Sequence, residues 1–126
     1  MISTVSLVAL GGACGAVLRY LTGVGLLRLL GSQDFPLAII TVNVIGSFLM
    51  GGFVVLAAHK GLTHLSPLVM TGLLGGFTTF SAFSLESANM IERGDFTQAA
   101  IYVFLSVSLS VGGLFLGLWL ARGVFA

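Results

Sequence analysis

Only 7% of the 126 residues are charged and 57% are hydrophobic, against about a quarter charged in an ordinary soluble domain, so the composition places the chain in a membrane. A net charge of +1 excludes a basic surface for nucleic acid and an acidic tail. The lone Cys14 permits neither an intramolecular disulfide nor a cysteine cluster for metal, and reads as a small residue on a packing face.

Hydropathy predicts an all-α membrane protein with spans near 3–28, 35–58, 65–91 and 96–123, each near or above the roughly 20 residues needed to cross the hydrocarbon core. They form one transmembrane domain over 1–126, without a convincing internal repeat. The first span is too long for a secretory signal and lacks a basic leading region, so no cleaved targeting segment is expected. It carries a GxxxG packing pair, Gly11 and Gly15, and a charged residue, Arg19. After a turn at Gly31-Ser32-Gln33-Asp34, the second span sets Asn43, Gly46, Ser47 and Met50 at i, i+3, i+4 and i+7, a small and polar stripe around an amide. Ser47 and Gly51 add a second small-residue pair.

A turn at His59-Lys60-Gly61 leads to the third span, where LLGGFTTFSAFS, Leu73 to Ser84, interrupts an otherwise featureless apolar run. Gly75 and Gly76 each cost a helix roughly 1 kcal/mol relative to alanine, and the β-branched Thr78 and Thr79 follow, so a mid-membrane helix break is expected here. Non-helical backbone at bilayer depth survives only when buried in protein or lining a polar path. The span therefore reads as a site. Beyond the turn at Glu92-Arg93-Gly94-Asp95, the fourth span places Tyr102, Ser106 and Ser110 at i, i+4 and i+8 and ends in the GxxxG pair Gly113 and Gly117.

At about 1.5 Å of rise per residue, Asn43, Phe80, Phe83, Tyr102 and Ser106 share a layer roughly 9–16 Å from the side of the first and third loops, with Arg19 roughly 14 Å in and Glu86 shallower. An intramembrane arginine costs about 2.5–3.5 kcal/mol on insertion scales and needs a partner. Arg19 either pairs with Glu86 or with carbonyls freed by the break, or lends positive potential to a vestibule that attracts an anion. Glu86 either hydrates a pore mouth or neutralises Arg19. Phe80 and Phe83 lie i, i+3 on one face, where phenylalanines ordinarily pack a core. Their positive ring edges, the Asn43 amide and nearby hydroxyls could instead hold a small, hard anion stripped of part of its water, which suits fluoride.

Orientation is undecided by charge. The side with both termini and the second loop carries Lys60 and Arg122, and the other side carries Arg28 and Arg93. Orientation follows Lys/Arg bias, so this balance gives no strong preference: either copies insert both ways and pair as an antiparallel homodimer, or other determinants fix one orientation.

Three motifs, GGACGAVLRY from Gly11, NVIGSFLMG from Asn43 and GLLGGFTTFSAFS from Gly72, occur in order and together resemble the CrcB/Fluc fluoride channels of bacteria. The resemblance implies an antiparallel, dual-topology homodimer with two fluoride pores and a sodium ion at the central dyad. It implies that Phe80 and Phe83 line the pores, that Asn43 orients them and donates to the ion, and that Tyr102, Ser106 and Ser110 form a polar track. Ser81 and Thr79 would be additional donors, and the main-chain carbonyls of Gly75 and Thr78 would hold the sodium. Ala82 departs from the family pattern, which often has threonine there, so one hydroxyl beside the pore is missing. The sodium also fits the chemistry: two antiparallel breaks would meet near the bilayer centre, and two carbonyls from each would give four hard oxygen ligands.

The expected protein is thus a passive fluoride-selective channel of a bacterial inner membrane, not an enzyme, with fluoride, the lipid bilayer and a second copy of itself as partners. The rival reading, a small proton-coupled multidrug antiporter, would want a carboxylate in the first span, which carries Arg19 and no Asp or Glu. A nonconducting assembly or enzyme subunit is a weaker rival, since His59 and His64 have no carboxylate or cysteine arrangement around them. Fluoride/proton exchange has only Glu86 to titrate in the layer.

Overall fold

A computed structural model describes residues 1–32 and 35–125, so Gln33 and Asp34 of the expected first turn lie outside the described residues. Helix α1 covers Ile2–Leu30 and α2 covers Leu37–Lys60. A 3-10 turn at Thr63–Leu65, a wide π-helical segment at Pro67–Leu74, the single turn α3 at Gly75–Phe77 and helix α4 at Phe80–Glu92 follow, and α5 at Phe96–Phe125 ends the chain. Four helical stretches, Ile2–Leu30, Leu37–Lys60, Thr63–Glu92 and Phe96–Phe125, are long and apolar enough to cross a membrane.

At their C-terminal ends the helices overrun the predicted spans, because hydrogen bonding, not hydropathy, ends them. His59 and Lys60, expected in a turn, are the last residues of α2. Gly61 stops the helix in the left-handed region, at φ 67°, and the Leu62 N–H returns to the Ala57 carbonyl at 2.9 Å. At the other turn Gly94 has φ 82°, Asp95 N–H donates to the Met90 carbonyl at 2.8 Å, and Arg93 pairs with Asp95 at 3.2 Å.

Glycine contacts arrange the spans as two close pairs. A β-carbon on Gly15 of α1 would meet the Leu73 carbonyl and sit 2.8 Å from Phe77 N, and one on Gly76 would sit 2.6 Å from the Gly12 carbonyl. Gly72 approaches Gly11 the same way, at 3.0 Å, so Gly72 and Gly76 answer the GxxxG of α1 with a matching pair. In the other pair, Gly117 of α5 lies against the Phe48 carbonyl and Gly52 N, and Gly51 of α2 against the Leu114 carbonyl. These neighbours are backbone and cannot swing away. Gly15→Ala should therefore cost at least about 1–3 kcal/mol of stability. A thermal midpoint in detergent unchanged from wild type would contradict the packing.

This packing corrects one expectation. Gly75 and Gly76 do not break the helix: both lie in α3, Gly75 with ordinary helical angles of φ −62° and ψ −38°. Close backbone contact with α1 outweighs their weak propensity. The chain leaves helical geometry two residues later, at Thr78 (φ −87°, ψ 160°) and Thr79 (φ −151°, ψ 116°). A small core of Ile40, Phe83, Met90, Ala99 and Tyr102 sits beside this break. Much of the remaining apolar surface is uncovered, including Tyr20, Phe80, Phe104 and Trp119, as suits helices facing lipid or another protein.

Candidate functional site

The break at Thr78 and Thr79 is held by reassigned hydrogen bonds. In a continuous helix Thr79 N–H would donate to Gly75 and Ala82 N–H to Thr78. Here Thr79 N–H donates to Asn43 Oδ1 at 2.8 Å, and Asn43 Nδ2 returns a bond to the Thr79 carbonyl at 3.1 Å. The Ala82 N–H goes to Thr79 Oγ1 at 3.1 Å, so Thr79 is the N-cap that restarts the helix as α4. The carbonyls of Gly75 and Thr78 are thereby left without their helical donors. Gly76 finds a substitute, because Arg19 Nε donates to its carbonyl at 3.1 Å. Gly46 lets this happen close to α2, since a β-carbon there would meet the Thr78 methyl.

A cleft of about 360 Å³ opens beside the break. Its walls are the Asn43, Gly46, Ser47 and Met50 stripe of α2, Thr78 and Thr79, Phe80 and Phe83 of α4, and Ser106 and Ser110 of α5. Six of the residues expected to form a path, Asn43, Thr79, Phe80, Phe83, Ser106 and Ser110, come together here. The Phe80 and Phe83 ring centroids are 5.4 Å apart at an interplanar angle of 47°. Phe80 is 77% exposed in the single chain, whereas Phe83 is buried. The Ser106 hydroxyl is buried and meets no hydrogen-bond partner among the described residues.

Other expected residues stand elsewhere. Tyr102 is fully buried behind Phe83, with ring centroids 5.3 Å apart, and is not on the cleft wall. It shares the α5 face of Ser106 and Ser110, but it lies one turn nearer the helix start, where Phe83 and Phe35 cover its ring. Ser81 is exposed, lies outside the cleft wall and faces the Thr79 hydroxyl at 3.3 Å. Of the two partners considered for Arg19, the structure uses a freed carbonyl; Glu86 is half-buried and forms no ion pair with it. The Asn43 amide is spent chiefly on Thr79, which leaves it one N–H. Phe35 was not anticipated: it meets Tyr102 edge-on at 5.5 Å and 90°, and a lone phenylalanine before a proline gives no signal of that in sequence.

No cluster of three or more His, Cys, Asp or Glu that could hold a metal occurs among the described residues. A family model described as "CrcB-like protein, Camphor Resistance (CrcB)" matches residues 6–118. The chain belongs to the CrcB family. It is 64% identical over 124 residues to a fluoride-specific ion channel FluC of Ruegeria sp. (strain TM1040), covering 98% of each chain. A protein of the same name from Roseobacter denitrificans is 66% identical over 120 residues, covering 94% of this chain and 95% of that one. One from Caulobacter vibrioides is 50% identical over 123 residues, covering 95% and 96%. Members of this family are named as channels and not as enzymes, and the four apolar helices make this member a multi-pass membrane protein.

Proposed function

We propose that the chain is a passive channel selective for fluoride. The observation that carries the reading is the cleft itself: Phe80, Phe83, Asn43, Ser106 and Ser110 line one space, with no acidic or basic side chain on the wall. Such a site offers donors and no proton carrier. Each hydrogen bond to a charged group contributes about 1.5–3 kcal/mol, so several must act together to replace the water a compact anion gives up. The names of the relatives support the same ion. Nothing in the first span supplies the carboxylate that the antiporter reading requires.

In this reading the break lies near the middle of the bilayer, and two copies insert in opposite orientations and pair. Phe80, exposed in one chain, then meets the second copy. The Gly75 and Thr78 carbonyls fit a sodium ion at the dimer axis, because the Asn43 and Thr79 bonds have taken away their helical donors. A bound sodium would offset those carbonyl dipoles without taking part in conduction. Arg19 and Glu86, both off the cleft wall, serve a vestibule. In a bacterial inner membrane the negative interior drives the anion outward, after hydrogen fluoride has entered neutral and dissociated.

The test is efflux of fluoride from liposomes holding the purified protein. Rapid fluoride loss that requires valinomycin to carry the counter-charge, persists with a protonophore and spares chloride is expected. Obligatory proton coupling, or no fluoride loss, contradicts the reading. Topology has its own expected result: in a Cys14→Ala background, single cysteines in the second loop should label from both sides of the membrane. Two or three lysines added to one side should then lower activity unless an oppositely biased copy is co-expressed. Labelling from one side only, with full activity, contradicts dual topology.

A further inference from the structure

The α2 stripe contains a hydroxyl that the path described above does not use. Helical serines and threonines commonly satisfy themselves on the carbonyl four residues earlier. Thr41, Thr78 and Ser87 do so here, with bonds of 2.7, 2.9 and 2.8 Å to Leu37, Leu74 and Phe83. Ser47 lines the cleft, is half-buried, and makes no such bond. It shares the cleft with Ser106, whose hydroxyl is 5% exposed, meets no partner at hydrogen-bond geometry among the described residues and lies near only the Tyr102 hydroxyl. Spacing sets the order along the cleft. Ser47 is one turn beyond Asn43 on α2, and because Gly113 of α5 packs on Val44 and Phe48, Ser110 stands near the level of Asn43 and Ser47 near that of Leu114. Met50 follows another turn on, and neither it nor Leu114 can donate.

We propose that Ser47 contacts the permeating ion, so that the hydroxyl lining comes from two helices: an anion leaving the level shared by Asn43 and Ser110 meets Ser47 one turn on, where α5 presents only the apolar Leu114. This rests on the fluoride-channel reading. A hydroxyl turns about its Cα–Cβ and C–O bonds, so Ser47 can follow the ion as it shifts by one turn. With Leu114 opposite, Ser47 is the hydroxyl that keeps a compact anion from meeting a dry wall at that step.

The test is single-channel fluoride conductance in planar bilayers for wild type, Ser47→Ala and Ser108→Ala. Alanine is smaller than serine and favours helix, so Ser47→Ala should keep the elution volume and thermal midpoint of wild type. Its conductance should fall about tenfold, the loss of one hydrogen bond to a charged group. Ser108 lies on α5 away from this cleft, and its alanine variant should conduct as wild type does. Wild-type conductance in Ser47→Ala, beside a conducting wild type, overturns this inference and leaves the channel reading intact. No fluoride current in wild type overturns both.

Discussion

Replacing Asn43 with aspartate should cut fluoride conduction about a thousandfold, while serine at the same position should harm it less. The asparagine amide bridges the break by accepting from Thr79 N–H at 2.8 Å and donating to the Thr79 carbonyl at 3.1 Å. Aspartate keeps the acceptor but turns a carboxylate oxygen toward that carbonyl. It also sets a negative charge on the wall of the cleft. At about 4 Å and an effective dielectric near 20, repulsion of a passing anion is about 4 kcal/mol, which gives the thousandfold figure. Serine is too short to make both bonds, but it adds no charge. Fluoride efflux from liposomes, compared across the three proteins at equal reconstitution, checks the order. Equal flux in wild type and the aspartate variant would remove Asn43 from the path.

Phe80→Ile and Phe83→Ile should each lower fluoride flux tenfold or more, for the opposite kind of reason. Isoleucine roughly preserves volume yet has no positive ring edge. The two variants should differ in stability. Phe80 is 77% exposed in the single chain and supports little of its core, whereas Phe83 is buried against Tyr102 at 5.3 Å. Phe83→Ile should cost about 0.5–1.5 kcal/mol, the aromatic pairing beyond area burial. Efflux together with thermal midpoints separates the roles. Wild-type flux in both variants would return these rings to ordinary packing.

Hydropathy made the four spans legible, since each apolar run is long enough to be read without its neighbours. The ends were less so: α2 continues through Lys60 because Gly61 is where a left-handed residue becomes available. The glycine pair at Gly75 and Gly76 misled because propensity is local, while the backbone of α1 that they pack against is distant in sequence. The same limit hid the bonds that hold the break. Asn43 and Thr79 are 36 residues apart, and Arg19 and Gly76 are 57 apart. Periodicity placed Asn43, Ser106 and Ser110 on the faces that now line the cleft, but it could not show that Phe83 and Phe35, distant in sequence, cover Tyr102 at the end of that stripe. Ser47 was visible as a member of the α2 stripe. Its missing back-bond was not, because only coordinates show where a hydroxyl finds a partner.

Passive, selective conduction is tested most directly by a reversal potential. Purified protein in a planar bilayer is given a roughly tenfold fluoride gradient, with chloride equal on both sides. The current should reverse near the fluoride equilibrium potential, about 59 mV in magnitude for a singly charged ion, and should not move when a pH gradient is imposed. Reversal near zero, or a reversal that follows the pH gradient, would contradict a fluoride-selective channel.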